Sequence, residues 1–372
     1  MNPVRITRAE SLGAGLTPLV KGRRCWLVTT PCAASRGWVA EVRAAAEVLG
    51  VTGDVAPNPT VDFVARRAKD LLPAADTVIA LGGGSALDAA KGLAAARAAA
   101  DPAAFLERHV RRGEPFPADF TPPRLIAVPT TAGTGSEVTM WGSLWDADRK
   151  HSISHPKLYP EHAVIVPALT YGLPYDQSLF PALDALSHSM ESVWNRNATP
   201  ESDALATRSI TTLARALGDD YARRFAEPAV RKAVQDASVD AGLAISSTRT
   251  AIAHSISYPL TALLGMPHGL ACSFTLPEVL KLNAGHAPAR VALVVKALGA
   301  TDADAAASKL YALYAALGVP VRLKTYLKTR AQARALDCGF IAPGRAENNA
   351  APVDQAGAVR LLDAALTGLG VS

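Results

Sequence analysis

The sequence predicts an α/β domain, a parallel sheet with flanking helices, over residues 1–175, followed by an all-helical domain over residues 176–372. Three observations carry this division. A chain of 372 residues exceeds the usual size of one core. Up to about residue 175, short β-rich runs alternate with helical patterns, the signature of a parallel sheet covered by helices. After "TYGLPYDQ" the β-branched runs fade, and Ala- and Leu-rich segments with helical spacing continue to the end.

In the first domain "CWLVTT" at 25–30 reads as a strand and residues 36–49 as a helix. "TVIALGGGS" at 77–85 reads as a strand running into a turn, the Ala-rich stretch to about residue 100 as a helix, and "RLIAVPTT" at 124–131 as a strand. In the second domain "SDALATRSITTLARALGDDYARRF" and "SKLYALYAALG" carry helical spacing. The cleft between two such domains is where chemistry is expected.

Composition removes several classes. Residues are 49% hydrophobic and 19% charged, with no low-complexity block or repeat, which excludes a disordered chain or a solenoid. "MNPVRITRAESLGAG" lacks the apolar core of a signal peptide, and no segment reaches about 18 uninterrupted apolar residues, so a cytoplasmic protein with no membrane partner is expected. Cys25, Cys32, Cys272 and Cys338 show no C-x-x-C spacing; reduced, mostly buried thiols are expected rather than disulfides or a thiolate zinc site. The net charge of +5 is spread along the chain without a basic run interleaved with aromatics, so no nucleic-acid partner is expected, whereas a small anionic substrate fits the charge.

Two glycine-rich turns follow strands of the first domain. In "VIALGGGSALDAAKGLAAA" the strand runs into Gly82, Gly83 and Gly84, and Ser85 starts a helix with Asp88 three positions on, as in a capping box. Such a turn brings free N–H groups to a phosphate, although an isolated GGGS is equally a tight strand-to-helix turn. "AVPTTAGTGSEVT" gathers Thr130, Thr131, Gly133, Thr134, Gly135 and Ser136, whose hydroxyls and flexible backbone suit a pyrophosphate and a ribose. Two such turns at the ends of neighbouring strands point to a nucleotide more strongly than either does, and neither is a G-x-G-x-x-G or a P-loop.

The second domain holds a polar set in apolar surroundings. In "FPALDALSHSMESVW" Asp184 and His188 are four apart and share one helix face, which by itself also fits a surface ion pair. His254 and His268 lie in "AIAHSISYPLTALLGMPHG", where neighbouring side chains offer few hydrogen-bond partners. One Asp and three His make four ligands for a divalent metal with a position left for substrate.

"GGGSALDAAK", "PTTAGTGSE", "DALSHSMES" and "HSISYPLTALLGMPHG" together resemble the group III, iron-dependent alcohol dehydrogenases, whose dehydroquinate synthase-like fold is shared with glycerol dehydrogenase. The resemblance covers most of the chain. It implies a nicotinamide cofactor, NADPH or NADH, on Gly82, Gly83, Gly84, Ser85, Thr130, Thr131, Gly133 and Ser136. It implies iron(II), with zinc or another divalent metal as alternatives, on Asp184, His188, His254 and His268, and it implies a homodimer. Lys150 matches a family lysine near the cofactor, and a solvated loop lysine is the alternative.

The chain also departs from the family. Many members carry a histidine four residues after the third ligand; here Tyr258 stands there, so Tyr258 or water becomes the proton donor. Thr30 replaces the acidic residue of NAD-specific members, and with Arg36 nearby a 2′-phosphate is tolerated. "SSTRTAIAHSISYPLTALLGMPHGLACSFTLP" resembles the phosphonate-metabolism branch of the family, which implies reduction of a small anionic aldehyde bearing a phosphonate. Arg249, on what reads as the helix of His254, is expected to grip the anion unless Asp240 or Glu191 pairs with it. Arg345, Asn348 and Asn349 in "PGRAENNAAPVD" are expected to add polar contacts, a surface turn being the alternative. The rival readings are a general alcohol dehydrogenase for neutral aldehydes, a lyase of the dehydroquinate synthase kind, and a nucleotide sensor.

Overall fold

Six short parallel strands form the spine of the N-terminal unit in the computed structural model, which describes residues 2–71, 74–97, 99–146, 149–218, 220–334, 336 and 339–371. They are β1 (Arg5–Arg8), β2 (Arg24–Thr29), β3 (Glu47–Thr52), β4 (Thr77–Gly82), β5 (Arg124–Pro129) and β8 (His162–Ile165), in the order β1-β8-β5-β4-β2-β3. β6 (Trp141–Trp145) and β7 (Lys150–Ser154) pair separately as an antiparallel ribbon. Every residue of β4 is buried, which is why its sequence reads as a continuous apolar run: helices cover both faces of the sheet. Ile79 and Leu81 meet Leu12 and Leu16 of α1 (Leu12–Val20) and Val42 of α2 (Trp38–Ala45). Val78 and Ala80 meet Val64 of α3 (Val61–Ala68) and Leu87 and Leu93 of α4 (Gly84–Arg97).

The helix expected over 36–49 is shorter than its pattern. It begins at Trp38, after Gly37 at a left-handed φ of 77°, and ends at Ala45. Residues 47–52 instead form β3, paired in parallel with β2 from Arg24 opposite Glu47. Val48, Val51 and Thr52 are β-branched, and pairing along the sheet edge outweighs the helical spacing that continues from Val42. β1 and β8, four residues each, and the β6–β7 ribbon were not expected from the pattern.

The chain divides into Met1–Tyr171 and Gly172–Ser372. The second unit is helical, its main elements being α5 (Tyr175–Val193), α6 (Pro200–Leu217), α7 (Pro228–Thr248), α8 (Ile252–Leu264), α9 (His268–Ser273), α10 (Leu276–His286), α11 (Pro288–Ala297), α12 (Ala303–Ala316) and α13 (Gln355–Gly368). α6 starts in a full capping box between Thr199 and Ser202 with Pro200 in its first turn. Among the described residues no helix is long and apolar enough to cross a membrane.

Candidate functional site

In the N-terminal unit, chain order reverses at β2: the next strand, β3, lies on one side of it and β4 on the other. In open α/β sheets the crevice beyond the carboxyl ends at such a point is the ligand site. Thr30 follows β2 there, and Gly82, Gly83 and Gly84 close β4. The second turn lies against the first. A Cβ on Gly84 would stand 2.6 Å from Thr134 Cγ2, and one on Gly83 would stand 3.2 Å from Thr131 Oγ1. Their glycines therefore permit the close approach of the two turns and leave the start of α4 without side chains, as an anion site requires.

Beneath this surface the polar residues hold one another. Lys91 is fully buried, and its Nζ donates to Ser136 O (2.6 Å), Ser136 Oγ (2.9 Å), Thr139 Oγ1 (3.3 Å) and Trp141 O (2.8 Å). Asp88 accepts from Ser136 Oγ at 2.6 Å and from Ser143 N at 2.8 Å. One expectation is thereby corrected. Asp88 ties α4 to the second turn and the ribbon rather than closing a capping box, while Ser85 Oγ accepts from Asn58 N at 3.2 Å. Ser136, expected on the cofactor, is buried and held by Asp88 and Lys91, which fixes the turn. Burial lowers Lys91 to a pKa of about 8 and raises Glu137, in the same turn, to about 7.

The remaining expected cofactor residues are scattered more widely. Thr130 is buried at the strand end, its N–H donating to Gly82 O at 2.9 Å, and Gly133 is buried in the turn. Arg36 is exposed, its guanidinium 5.1 Å from the centre of the Trp38 ring. Lys150 opens β7 opposite Trp145, on the strand face away from buried His151 and Ile153.

In the helical unit, four side chains from three helices close on one oxygen of a fifth, Asp184. Asp184 Oδ1 lies 3.5 Å from His188 Nε2, 3.2 Å from His254 Nε2, 3.9 Å from His268 Nε2 and 3.3 Å from Cys272 Sγ. Asp184 and His188 come from α5, His254 from α8, and His268 and Cys272 from α9. The four residues expected to bind metal are thus in one place. Burial pushes the Asp184 carboxyl up, but the imidazoles beside it outweigh burial and hold it below the ordinary carboxylate range.

Glu191, which sequence reasoning weighed only as a partner for Arg249, organises the cluster instead. Its carboxylate is wholly buried and accepts from Ala251 N (2.8 Å), Ala253 N (2.5 Å) and His254 N (3.3 Å), satisfying the first N–H groups of α8. It also lies 2.6 Å from His254 Nδ1. With no ion bound, and against the pull of burial, Glu191 and Asp184 on its two sides raise the His254 pKa well above the ordinary imidazole range, so both ring nitrogens carry protons. A metal would take the place of the Nε2 proton facing Asp184 Oδ1 at 3.2 Å, with the Nδ1 proton kept on Glu191. The donor set therefore fits a divalent metal held by Asp184 and the histidines.

His268 is the most open of the four, with 29% of its side chain exposed. The Tyr258 ring lies nearly parallel to it at 6.2 Å, and Arg345 Nε donates to Tyr258 Oη at 3.3 Å. Arg249 differs from expectation: it ends α7 rather than sharing the helix of His254, and it is exposed. Its φ of 66° and ψ of 175° belong to a region natural to glycine, held by Asn195 Nδ2 and Thr248 Oγ1, each 3.1 Å from its carbonyl oxygen. Asp240 pairs with Arg208 and Glu191 with His254, so neither neutralises Arg249. Asn348 and Asn349, expected to add polar contacts or to form a turn, bond within the chain. Asn349 is buried in a reciprocal amide pair with Asn283, and Asn348 Nδ2 donates to Thr250 O at 2.9 Å and Gly344 O at 3.1 Å.

Of the cysteines, Cys25 and Cys272 are buried and Cys32 is exposed, while Cys338 lies outside the described residues. Cys272 is the reduced, buried thiol expected, and its sulfur stands 3.3 Å from Asp184 Oδ1. Its only sequence signal is the spacing of four from His268, and that of Glu191 is three from His188.

Two family models match this chain: iron-containing alcohol dehydrogenase over residues 5–167, and the C-terminal region of the Fe-containing alcohol dehydrogenase family over residues 180–366. Phosphonoacetaldehyde reductase of Streptomyces viridochromogenes is 39% identical over 284 residues, 75% of this chain and 71% of the relative. The probable alcohol dehydrogenase EutG of Escherichia coli is 35% identical over 254 residues, 67% of this chain and 62% of the relative. Among solved structures, sulfoacetaldehyde reductase from Bifidobacterium kashiwanohense in complex with NAD+ superposes with a TM-score of 0.87 at 27% identity, over 100% of this chain and 98% of the other. The chain belongs to the iron-containing alcohol dehydrogenase family, a family of metal-dependent, NAD(P)-linked alcohol dehydrogenases and aldehyde reductases.

Proposed function

We propose that this member of the iron-containing alcohol dehydrogenase family reduces phosphonoacetaldehyde to 2-hydroxyethylphosphonate with NADPH or NADH. The observation that carries the reading is the guanidinium of Arg345, bonded to Tyr258 at 3.3 Å beside His268, the open member of the ligand cluster. A phosphonate offers anionic oxygens that match a guanidinium fork. The names of two relatives, phosphonoacetaldehyde reductase and sulfoacetaldehyde reductase, each describe an acetaldehyde bearing an anionic group.

When bound, a divalent metal supplies Lewis acidity toward a carbonyl oxygen and a reduced nicotinamide supplies hydride. The chain's own residues do the rest. Arg345 binds and orients the anionic end, and Arg249, whose guanidinium has no carboxylate partner among the described residues, adds a second cation to the approach. Tyr258 Oη holds the proton that the product oxygen takes, and the neighbouring Arg345 charge stabilises the phenolate left behind. Gly82, Gly83, Gly84, Ser85 and Thr131 receive the cofactor phosphates, and Thr30 with Arg36 accommodates a 2′-phosphate.

The test is kcat/KM for phosphonoacetaldehyde against propanal in the metal-loaded enzyme and in Arg345→Met. The expected preference is about a hundredfold or more, roughly 2.7 kcal/mol. In Arg345→Met the preference collapses because the phosphonate value falls much further than the propanal value, which loses only the support that Arg345 gives Tyr258. Comparable wild-type values would overturn the assignment and leave a general alcohol dehydrogenase for neutral aldehydes.

A further inference from the structure

We propose that Cys272 is a further donor of the metal centre, binding the ion through a thiolate sulfur alongside Asp184, His254 and His268, the three with which its sulfur shares one mutually close set; this rests on the metal-centre reading and deepens it. The placement follows from α9. His268 and Cys272 are four residues apart on this helix and present both donors on one face, repeating the spacing of Asp184 and His188 on α5. Gly269 brings that face in. A Cβ there would stand 1.8 Å from Phe180 O and 3.2 Å from Asp184 Cβ, so α9 rests directly on the backbone of α5, and any side chain would push both His268 and Cys272 away. The packing is fixed again at the other end, where Ser187 Oγ donates to Cys272 O at 3.2 Å.

The sulfur is wholly buried and has no disulfide partner among the described residues. It lies 3.3 Å from Asp184 Oδ1, which a thiol hydrogen bond to a carboxylate would also explain. That bond leaves the wider arrangement unexplained. The donor atoms of Asp184, His254, His268 and Cys272 all fall within 4.8 Å of one another. Ligand bonds of about 2.0–2.1 Å to nitrogen or oxygen and about 2.3 Å to sulfur place tetrahedral neighbours roughly 3.4–3.6 Å apart. The separations from Asp184 Oδ1 to the other donors, 3.2, 3.3, 3.5 and 3.9 Å, straddle that value, and the sulfur is as well placed as the imidazoles.

On binding, the S–H bond breaks, a sulfur–metal bond forms, and the proton leaves to solvent; no electron is transferred. A soft sulfur donor makes this centre favour zinc or cobalt over iron(II) more than a set of nitrogen and oxygen donors would.

The experiment loads the full-length apoprotein with cobalt(II) and records its absorption spectrum with the bound-metal stoichiometry. The expected result is a near-ultraviolet thiolate-to-cobalt charge-transfer band beside the visible cobalt bands, lost in Cys272→Ser and Cys272→Ala while cobalt stays bound. X-ray absorption of the wild-type zinc form, which needs no variant, is expected to show a sulfur neighbour at about 2.3 Å. Visible bands without a charge-transfer band, or a zinc shell without sulfur, would overturn Cys272 as a ligand and leave the metal centre standing. Failure to bind either metal would overturn both.

Discussion

The polar cluster under the glycine turns and the polar cluster around Asp184 are both buried, yet they are built in opposite ways. In the first, the contacts close on themselves: Lys91 has four oxygen acceptors and Asp88 has two donors. In the second, the groups converge on a single atom, since the Nε2 of three histidines and a sulfur all face one carboxylate oxygen. A closed network shapes a backbone surface, and a convergent one offers an ion several donors at one point. Buried polar residues near a functional motif are therefore of two kinds, and partner geometry separates them better than residue type.

The comparison breaks most sharply at Asp184. Asp184→Asn keeps the volume and removes the anion at the hub, so kcat/KM for the aldehyde is expected to fall about a thousandfold or more, several kcal/mol at 1.36 per decade. Steady-state kinetics with metal in excess checks this, and a loss below about tenfold would contradict the convergence argument. Glu191→Gln tests the orienting contact. It is expected to weaken metal affinity by about 10- to 100-fold, read by chelator competition, with the affinity for nucleotide unchanged.

The smallest effect belongs to the closed cluster and is a pH dependence. Burial raises Glu137 from 4.5 to about 7, against the pull of Lys91. The folded state thus binds this proton more tightly than the unfolded state. The stabilisation is full below the unfolded value and is lost as pH rises through about 7. Glu137→Gln cannot ionise, so its melting temperature relative to wild type is expected to climb between about pH 5 and pH 8, by at most about 3 kcal/mol in stability. A difference independent of pH would show that Glu137 does not titrate in this range.

Local pattern made some of this legible. The apolar run of β4 and the spacing of Asp184 and His188 are properties of one element, and a sequence displays them directly. Glu191 and Cys272 escaped because their meaning lies in partners 60 or more positions away, Ala251 at 60 and Asp184 at 88. Arg249 misled for a different reason. "STRTAIAH" holds no glycine or proline to mark a break, yet the chain leaves α7 through an arginine at positive φ, a conformation its neighbours impose against residue preference. Residues 47–49 show the same tertiary override on a strand.

The central claim, that the convergence on Asp184 marks a metal centre, is tested most directly by titrating the apoprotein with zinc or iron(II) under anaerobic conditions and comparing it with Asp184→Asn. The account predicts one tightly held divalent ion per chain in the wild type and none held comparably in the variant. Equal binding by both proteins, or none by either, would contradict it.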